Sequence, residues 1–191
     1  RIDDLLDGDA EDLDLDPVHA FKRIDGISMK TRELSDCCPM HQCFGHLAVL
    51  GLKPLLRAKL LPYQFASIPE RGQVALKRQV ERWLRRKSLG IRYALKLDIK
   101  AAYPSTQPEV VMALLRREIP GARWLLAVVE ALLKMAPHGG LLIGGYLESW
   151  LFNLVASYIL RQVTSFAKVR RGILAYLCKR ACSYMDDIAL L

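Results

Sequence analysis

Beyond its first sixteen residues the chain is short of acidic side chains. Eight of its 20 acids (Asp3, Asp4, Asp7, Asp9, Glu11, Asp12, Asp14 and Asp16) fall in residues 1–16, with a single base, Arg1. The other 175 residues hold 12 acids against 27 bases, a net charge of +15. That shortage points to a polyanionic partner reached by phosphate neutralisation, with a solvated basic surface as the alternative reading. Cysteine is sparse and odd in number, five in all, with no Cys-x-x-Cys pair. The cluster Cys37, Cys38, His41, Cys43 and His46 matches neither paired zinc sites nor a zinc knuckle, and a second half is missing. It reads instead as buried thiols at the start of a helix. The odd count and the lack of a visible signal peptide suggest a reducing, cytoplasmic compartment. Internal repeats are absent. Residues 141–160 form the longest apolar stretch, but Gly144, Gly145, Glu148, Ser149 and Asn153 interrupt it. A buried core helix is expected there rather than a membrane span.

The 191 residues are 52% hydrophobic, enough for a real core and one or two domains. Residues 1–16 have little to bury and should be loosely ordered. Pro17 is placed to open a short helix capped by Asp16. Residues 23–36 read as a hairpin turning at Asp25-Gly26. Residues 43–60 should be helical, interrupted near Gly51 and Pro54, and residues 61–72 a loop. A basic helix is expected over 73–87 and a strand over 91–99. Helices should then cover 108–119, 122–135 and 146–166.

Two apolar segments end in acids. Tyr184-Met185-Asp186-Asp187 lies between Ala181, Cys182, Ser183 and Ile188, Ala189, Leu190. It reads as strand, tight turn, strand, with the carboxylates at the tip. Adjacent carboxylates repel and weaken a strand. The pair persists where a cation takes up the charge, and carboxylate oxygens suit hard ions such as magnesium. A solvated acidic turn is the competing reading. In the second segment, residues 93–104, an apolar strand ends in Asp98 and Tyr103 follows five residues later.

With these two motifs in order, and Gly139-Gly140-Leu141-Leu142-Ile143-Gly144-Gly145 leading into a long helix between them, the chain resembles the reverse transcriptases. The likeness is to bacterial or phage types such as retron, group II intron or diversity-generating-element enzymes. It covers residues 91–191, and more weakly back to about residue 28. It implies an α+β fold: a polymerase palm, an antiparallel sheet backed by helices, over residues 91–191, with partial fingers over 17–90 and no thumb. A polymerase of this family continues past residue 191, so the chain is expected to be a fragment that does not polymerise alone.

The resemblance implies two magnesium ions, with manganese as the alternative. Asp98 and Asp186 would be the main ligands, Asp187 a more peripheral one, and the Ile99 carbonyl an extra oxygen. Tyr103 would lie under the sugar of the incoming deoxynucleotide and exclude a 2′-hydroxyl. Lys30 and Arg32, alternating on one strand face, would grip the triphosphate, an exposed cationic strand being the other reading. Gly144 and Ser149 would contact the substrate. Many relatives carry Ser-Gln where this chain has Glu148-Ser149, a departure that bears on fidelity and template grip. Asn153 fits a small polar position of the family, or is a satisfied helix amide. Arg71 in an Arg-Gly loop, then Lys77, Arg78, Arg82, Arg85 and Arg86 with Trp83 interleaved, would contact nucleic acid; a solvated helix face is the alternative. The partners implied are an RNA template, a DNA or RNA primer and deoxynucleoside triphosphates, with no membrane and the oligomeric state open. An RNA-templated RNA polymerase and a non-catalytic nucleic-acid-binding remnant are the other readings; Tyr103 argues against the first.

Overall fold

The computed structural model describes residues 15–24, 26, 29, 31–137 and 139–191. The fold mixes helices with small antiparallel sheets, in agreement with the α+β expectation. The chain divides into two compact units that interleave along the sequence, Arg1–Ala58 with Ala101–Phe152, and Lys59–Lys100 with Asn153–Leu191.

In the first unit, β1 (His19–Ile24) and β2 (Thr31–Asp36) form an antiparallel hairpin that starts four residues before the expected 23–36, with His19 opposite Asp36 and Ile24 opposite Thr31. Asp25 and Lys30 lie outside the described residues, as does most of the acidic start. The helix expected after Pro17 is not formed. Residues 15–18 lack regular structure, and six cross-strand pairs from His19 onward commit the segment to a strand instead.

Helix α1 (Pro39–Lys59) follows, starting earlier than expected and running unbroken through Gly51 and Pro54. Pro54 has no N–H for the helix ladder, a loss normally costing about 3 kcal/mol in a helix interior. Burial of Leu52, Leu55 and Leu56 on either side offsets it. Gly51 serves a close approach: a Cβ there would stand 3.0 Å from a Leu125 methyl. Within this unit lie also the single turn α3 (Ala102–Ser105), α4 (Pro108–Glu118), α5 (Arg123–Lys134) and the first part of α6 (Tyr146–Ser165). The core draws on Val111, Met112 and Leu115 of α4, Leu125, Val129 and Leu132 of α5, and Leu147, Leu151 and Phe152 of α6.

The second unit holds α2 (Gln73–Arg85), a 3-10 turn at Lys87–Leu89, and β3 (Leu95–Asp98). The rest of α6 then leads into the hairpin of β4 (Ala167–Arg170) and β5 (Ile173–Tyr176). β6 (Ala181–Tyr184) and β7 (Asp187–Leu190) complete the unit. β3 is shorter than expected, because residues 91–94 do not pair. The order β3-β7-β6 puts β7 in the middle, antiparallel to both neighbours. Alternation along β6 and β7 gives the sheet two different faces. Cys182, Tyr184 and Ala189 pack with Phe65 and Trp83 towards α2. Ala181, Ile188 and Leu190 pack with Ile159 and Leu160 of α6. Among the described residues no helix is long and apolar enough to cross a membrane.

Candidate functional site

The acidic motif forms the hairpin expected of it. Tyr184 and Asp187 close the turn, leaving Met185 and Asp186 at its tip. Met185 takes φ 54°, the left-handed conformation at the first central position that suits a hairpin's twist. For a side chain larger than glycine this conformation costs roughly 1–2 kcal/mol. The ladder on both sides holds it, and the Ile99 N–H fastens the tip by donating to the Asp186 carbonyl at 3.0 Å.

Asp98 stands directly opposite Asp187 across the β3–β7 ladder. Cross-strand partners share a face, so both carboxylates point to the side carrying Tyr184 and Cys182. Lys96, two residues before Asp98, is on the same face, and its Nζ lies 2.9 Å from the Asp187 Oδ1. The lysine pKa is raised by that hydrogen bond first, then by the charge of Asp187, with further contributions from Asp98 and Asp186. Asp98 and Asp187 thus face each other at one end of the sheet, with Asp186 in the adjoining turn and the Lys96 ammonium on Asp187. They are not closed into a cage: among the described residues no three His, Cys, Asp or Glu side chains form a metal-holding group. The donor set is nevertheless all hard oxygen, which fits magnesium. A divalent ion there would compete with Lys96 for Asp187.

A groove of about 660 Å³ in the same unit is lined by Ser67, Arg71, Gln73, Arg78 and Tyr184, so its wall includes the residue that closes the acidic turn. Its loop is fastened from below. The buried Asn153 donates to the Ala66 carbonyl at 3.0 Å, and Gln64, fully buried, donates to the Asn153 carbonyl at 2.7 Å. Gln64 also accepts from the Leu61 N–H at 2.8 Å. Sequence reasoning passed over Gln64; the available signal was a lone amide among apolar neighbours. Arg71 donates to the Leu61 carbonyl at 2.8 Å, so part of its donor capacity secures this loop.

On α2 and just beyond its end, Lys77, Arg78, Arg82, Arg85, Arg86 and Lys87 are all exposed. Trp83 is not interleaved with them as a stacking platform. It is buried, edge-on to Tyr63 at 4.8 Å, because its helical position faces the core beneath the sheet. Replacing Arg82, Arg85 and Arg86 together with Gln should flatten the log–log salt dependence of nucleic-acid binding by roughly three counterions. An unchanged slope would identify this face as merely solvated.

The remaining candidates lie in the first unit. Tyr103, on α3, stacks on Phe152 with ring centroids 5.2 Å apart and planes 19° from parallel. Its carbonyl accepts from the Leu141 N–H at 3.0 Å, which joins the aromatic motif to the glycine segment. Gly140 is required at that junction, since a Cβ would stand 2.4 Å from the Pro104 carbonyl oxygen. Gly144 is exposed and takes φ 97°, so its glycine answers a conformational need. Ser149 donates to the Tyr146 carbonyl at 2.8 Å. Lys30 lies outside the described residues, as does the side chain of Arg32, whose backbone pairs with Arg23.

The thiols expected to be buried at the helix start are not: Cys43 is exposed on α1 and Cys37 and Cys38, just before it, are half-buried, while His46 stacks on Tyr146 at 3.9 Å. Glu148, by contrast, is 1% exposed, and its Oε1 has no protein partner. Burial, partly offset by a hydrogen bond from its own backbone, raises its pKa to about 7. No protein-family model matches the chain, and no curated protein matches it.

Proposed function

We propose that this chain carries the catalytic palm motifs of an RNA-directed DNA polymerase, with fingers elements before them. The observation that supports this most is the register placing Asp98 opposite Asp187, with Asp186 in the turn between β6 and β7. The reaction would be attack of a primer 3′-hydroxyl on the α-phosphate of a deoxynucleotide, with pyrophosphate leaving. Asp98, Asp186 and Asp187, with the Ile99 carbonyl, would hold magnesium. That ion supplies charge stabilisation for the attacking and leaving oxygens. Lys96 keeps the carboxylates from repelling one another before the ion arrives. The basic face of α2 would hold the nucleic-acid backbone by phosphate neutralisation.

Tyr103 would set the choice of sugar. Its ring is backed by Phe152 and its backbone is tied to Leu141, so it has little freedom to give way to a 2′-hydroxyl. Tyr103→Ala should raise ribonucleotide incorporation relative to deoxynucleotide by roughly ten- to a hundredfold, the effect of about 1–3 kcal/mol of steric discrimination. Unchanged discrimination would remove Tyr103 from the site.

The deciding experiment is primer extension on an RNA template with magnesium, comparing deoxynucleotides with ribonucleotides. Template-directed deoxynucleotide addition is expected. Preferential ribonucleotide addition would make it an RNA polymerase. Salt-sensitive RNA binding without any addition would leave a non-catalytic binding protein.

A further inference from the structure

Glu148 occupies the third position of α6, beneath the turn made by Gly144 and Gly145. Its carboxylate folds back against Gly145 so closely that a Cβ there would fall 1.9 Å from Oε2. Beside it is a cavity of about 140 Å³ whose lining includes Asp36, Cys37, His41, Gly144, Tyr146 and Glu148. Among the described residues no lysine or arginine lines it. Two buried polar atoms on this lining, Glu148 Oε1 and His41 Nε2, have no partner among the described residues.

We propose that Glu148 is a proton-operated latch on the glycine segment: with the carboxyl protonated the Gly144–Gly145 turn closes over the cavity, and loss of the proton opens the turn to water. A neutral acid can be left beneath the turn at modest cost. An unpaired carboxylate cannot, and its cheapest relief is local opening. The described residues that line the cavity with Glu148 offer no lysine or arginine as a counter-charge. From the end of β2 come Asp36 and the Cys37 thiol, whose own pKa is raised to about 11 by burial and then by Glu148. From α1 comes His41, whose pKa burial lowers against a hydrogen bond with the Leu132 backbone. On the outer side, Tyr146 carries the exposed His46 ring stacked on it. Room for water exists, since the cavity exceeds the roughly 30 Å³ that one water occupies in the liquid.

The sign follows from the raised value. The closed form binds the proton more tightly than the open form, whose carboxyl titrates near the ordinary 4.5. Closure is therefore strongest below pH 4.5 and is lost as the pH rises through about 7. Between pH 5 and pH 8 the opening constant should rise on the order of seventyfold. The residues that open also carry Gly144, so any nucleotide contact made there would become pH-dependent.

The test is hydrogen exchange followed by mass spectrometry on the full chain at pH 5 to 8, corrected for intrinsic exchange. Amides of residues 139–147 are read against those of α5 as an internal control. The wild type should open the glycine segment with rising pH while α5 stays protected. Glu148→Gln and Glu148→Leu, neither of which can ionise, should show no such rise. A flat wild-type profile, the same rise in the folded variants, or α5 opening in step with the segment would each overturn the latch.

Discussion

Replacing Asp98 with Asn is expected to abolish magnesium-dependent nucleotidyl transfer while leaving the fold intact. Asp98 is exposed at the end of β3, so the amide is accommodated without repacking. What changes is the charge: the carboxylate opposite Asp187 is lost, leaving Asp186 and Asp187 as the acids of the proposed site. Charge stabilisation by a bound metal is worth several kcal/mol in the transition state. A loss of about 4 kcal/mol corresponds to roughly a thousandfold in rate. Two measurements separate the outcomes: primer extension and magnesium titration. The Asp98→Asn change should weaken both. Retained extension with weakened magnesium binding would show that the Asp186–Asp187 turn suffices. Retention of both would remove Asp98 from the site, and with it the main support for the polymerase reading.

Phe152→Ala should produce the largest loss of stability. Phe152 is 1% exposed and among the largest buried side chains described. Truncating a buried phenylalanine costs about 3–5 kcal/mol through lost transfer energy and the cavity left behind. Against a typical total of about 5–15 kcal/mol, such a loss brings a domain close to unfolding. The change also strips the support from the Tyr103 ring, stacked on Phe152 at 5.2 Å. Denaturant unfolding should show a lower midpoint for Phe152→Ala and a smaller shift for Phe152→Leu, which refills most of the volume. If Tyr103 needs its backing ring, Phe152→Ala should also relax sugar selection in the same direction as Tyr103→Ala. A midpoint unchanged by the alanine would mean that the surrounding helices collapse into the space.

Much of the local structure was legible because it depends on nearest neighbours. Apolar runs flanking Asp186-Asp187 force a hairpin, and Pro108 at the start of α4 with Gly121 beyond its end sets that helix's place. The failures were equally local signals overridden from a distance. The cap-and-proline pattern at Asp16-Pro17 lost to pairing with β2. Gly51 and Pro54 failed to break α1 because a close approach to Leu125 and burial of neighbouring leucines outweigh their intrinsic preference. Trp83 looked like part of a basic binding face because charge neighbours it in sequence, yet helical phase turns it into the core. Burial of Glu148 could not be read at all, since about half of the residues lining its cavity, Ser35 to Gly45, come from about a hundred positions earlier.

The sequence by itself determined which residues carry charge and where the chain must turn: the acidic pair at a hairpin tip, the basic helix, the glycines before α6. Those features follow from side-chain chemistry and short-range periodicity. Only the tertiary structure decided which of them meet. Backbone pairing of β3 with β7, made although all four β3 residues are exposed, placed Asp98 opposite Asp187 and brought the Lys96 ammonium to Asp187. Close packing of Gly140 on Pro104 joined Tyr103 to the glycine segment. Burial alone moved Glu148 from a surface-type acid to one that titrates near neutrality, because the cost of an unpaired charge depends on what surrounds it rather than on what precedes it in the chain.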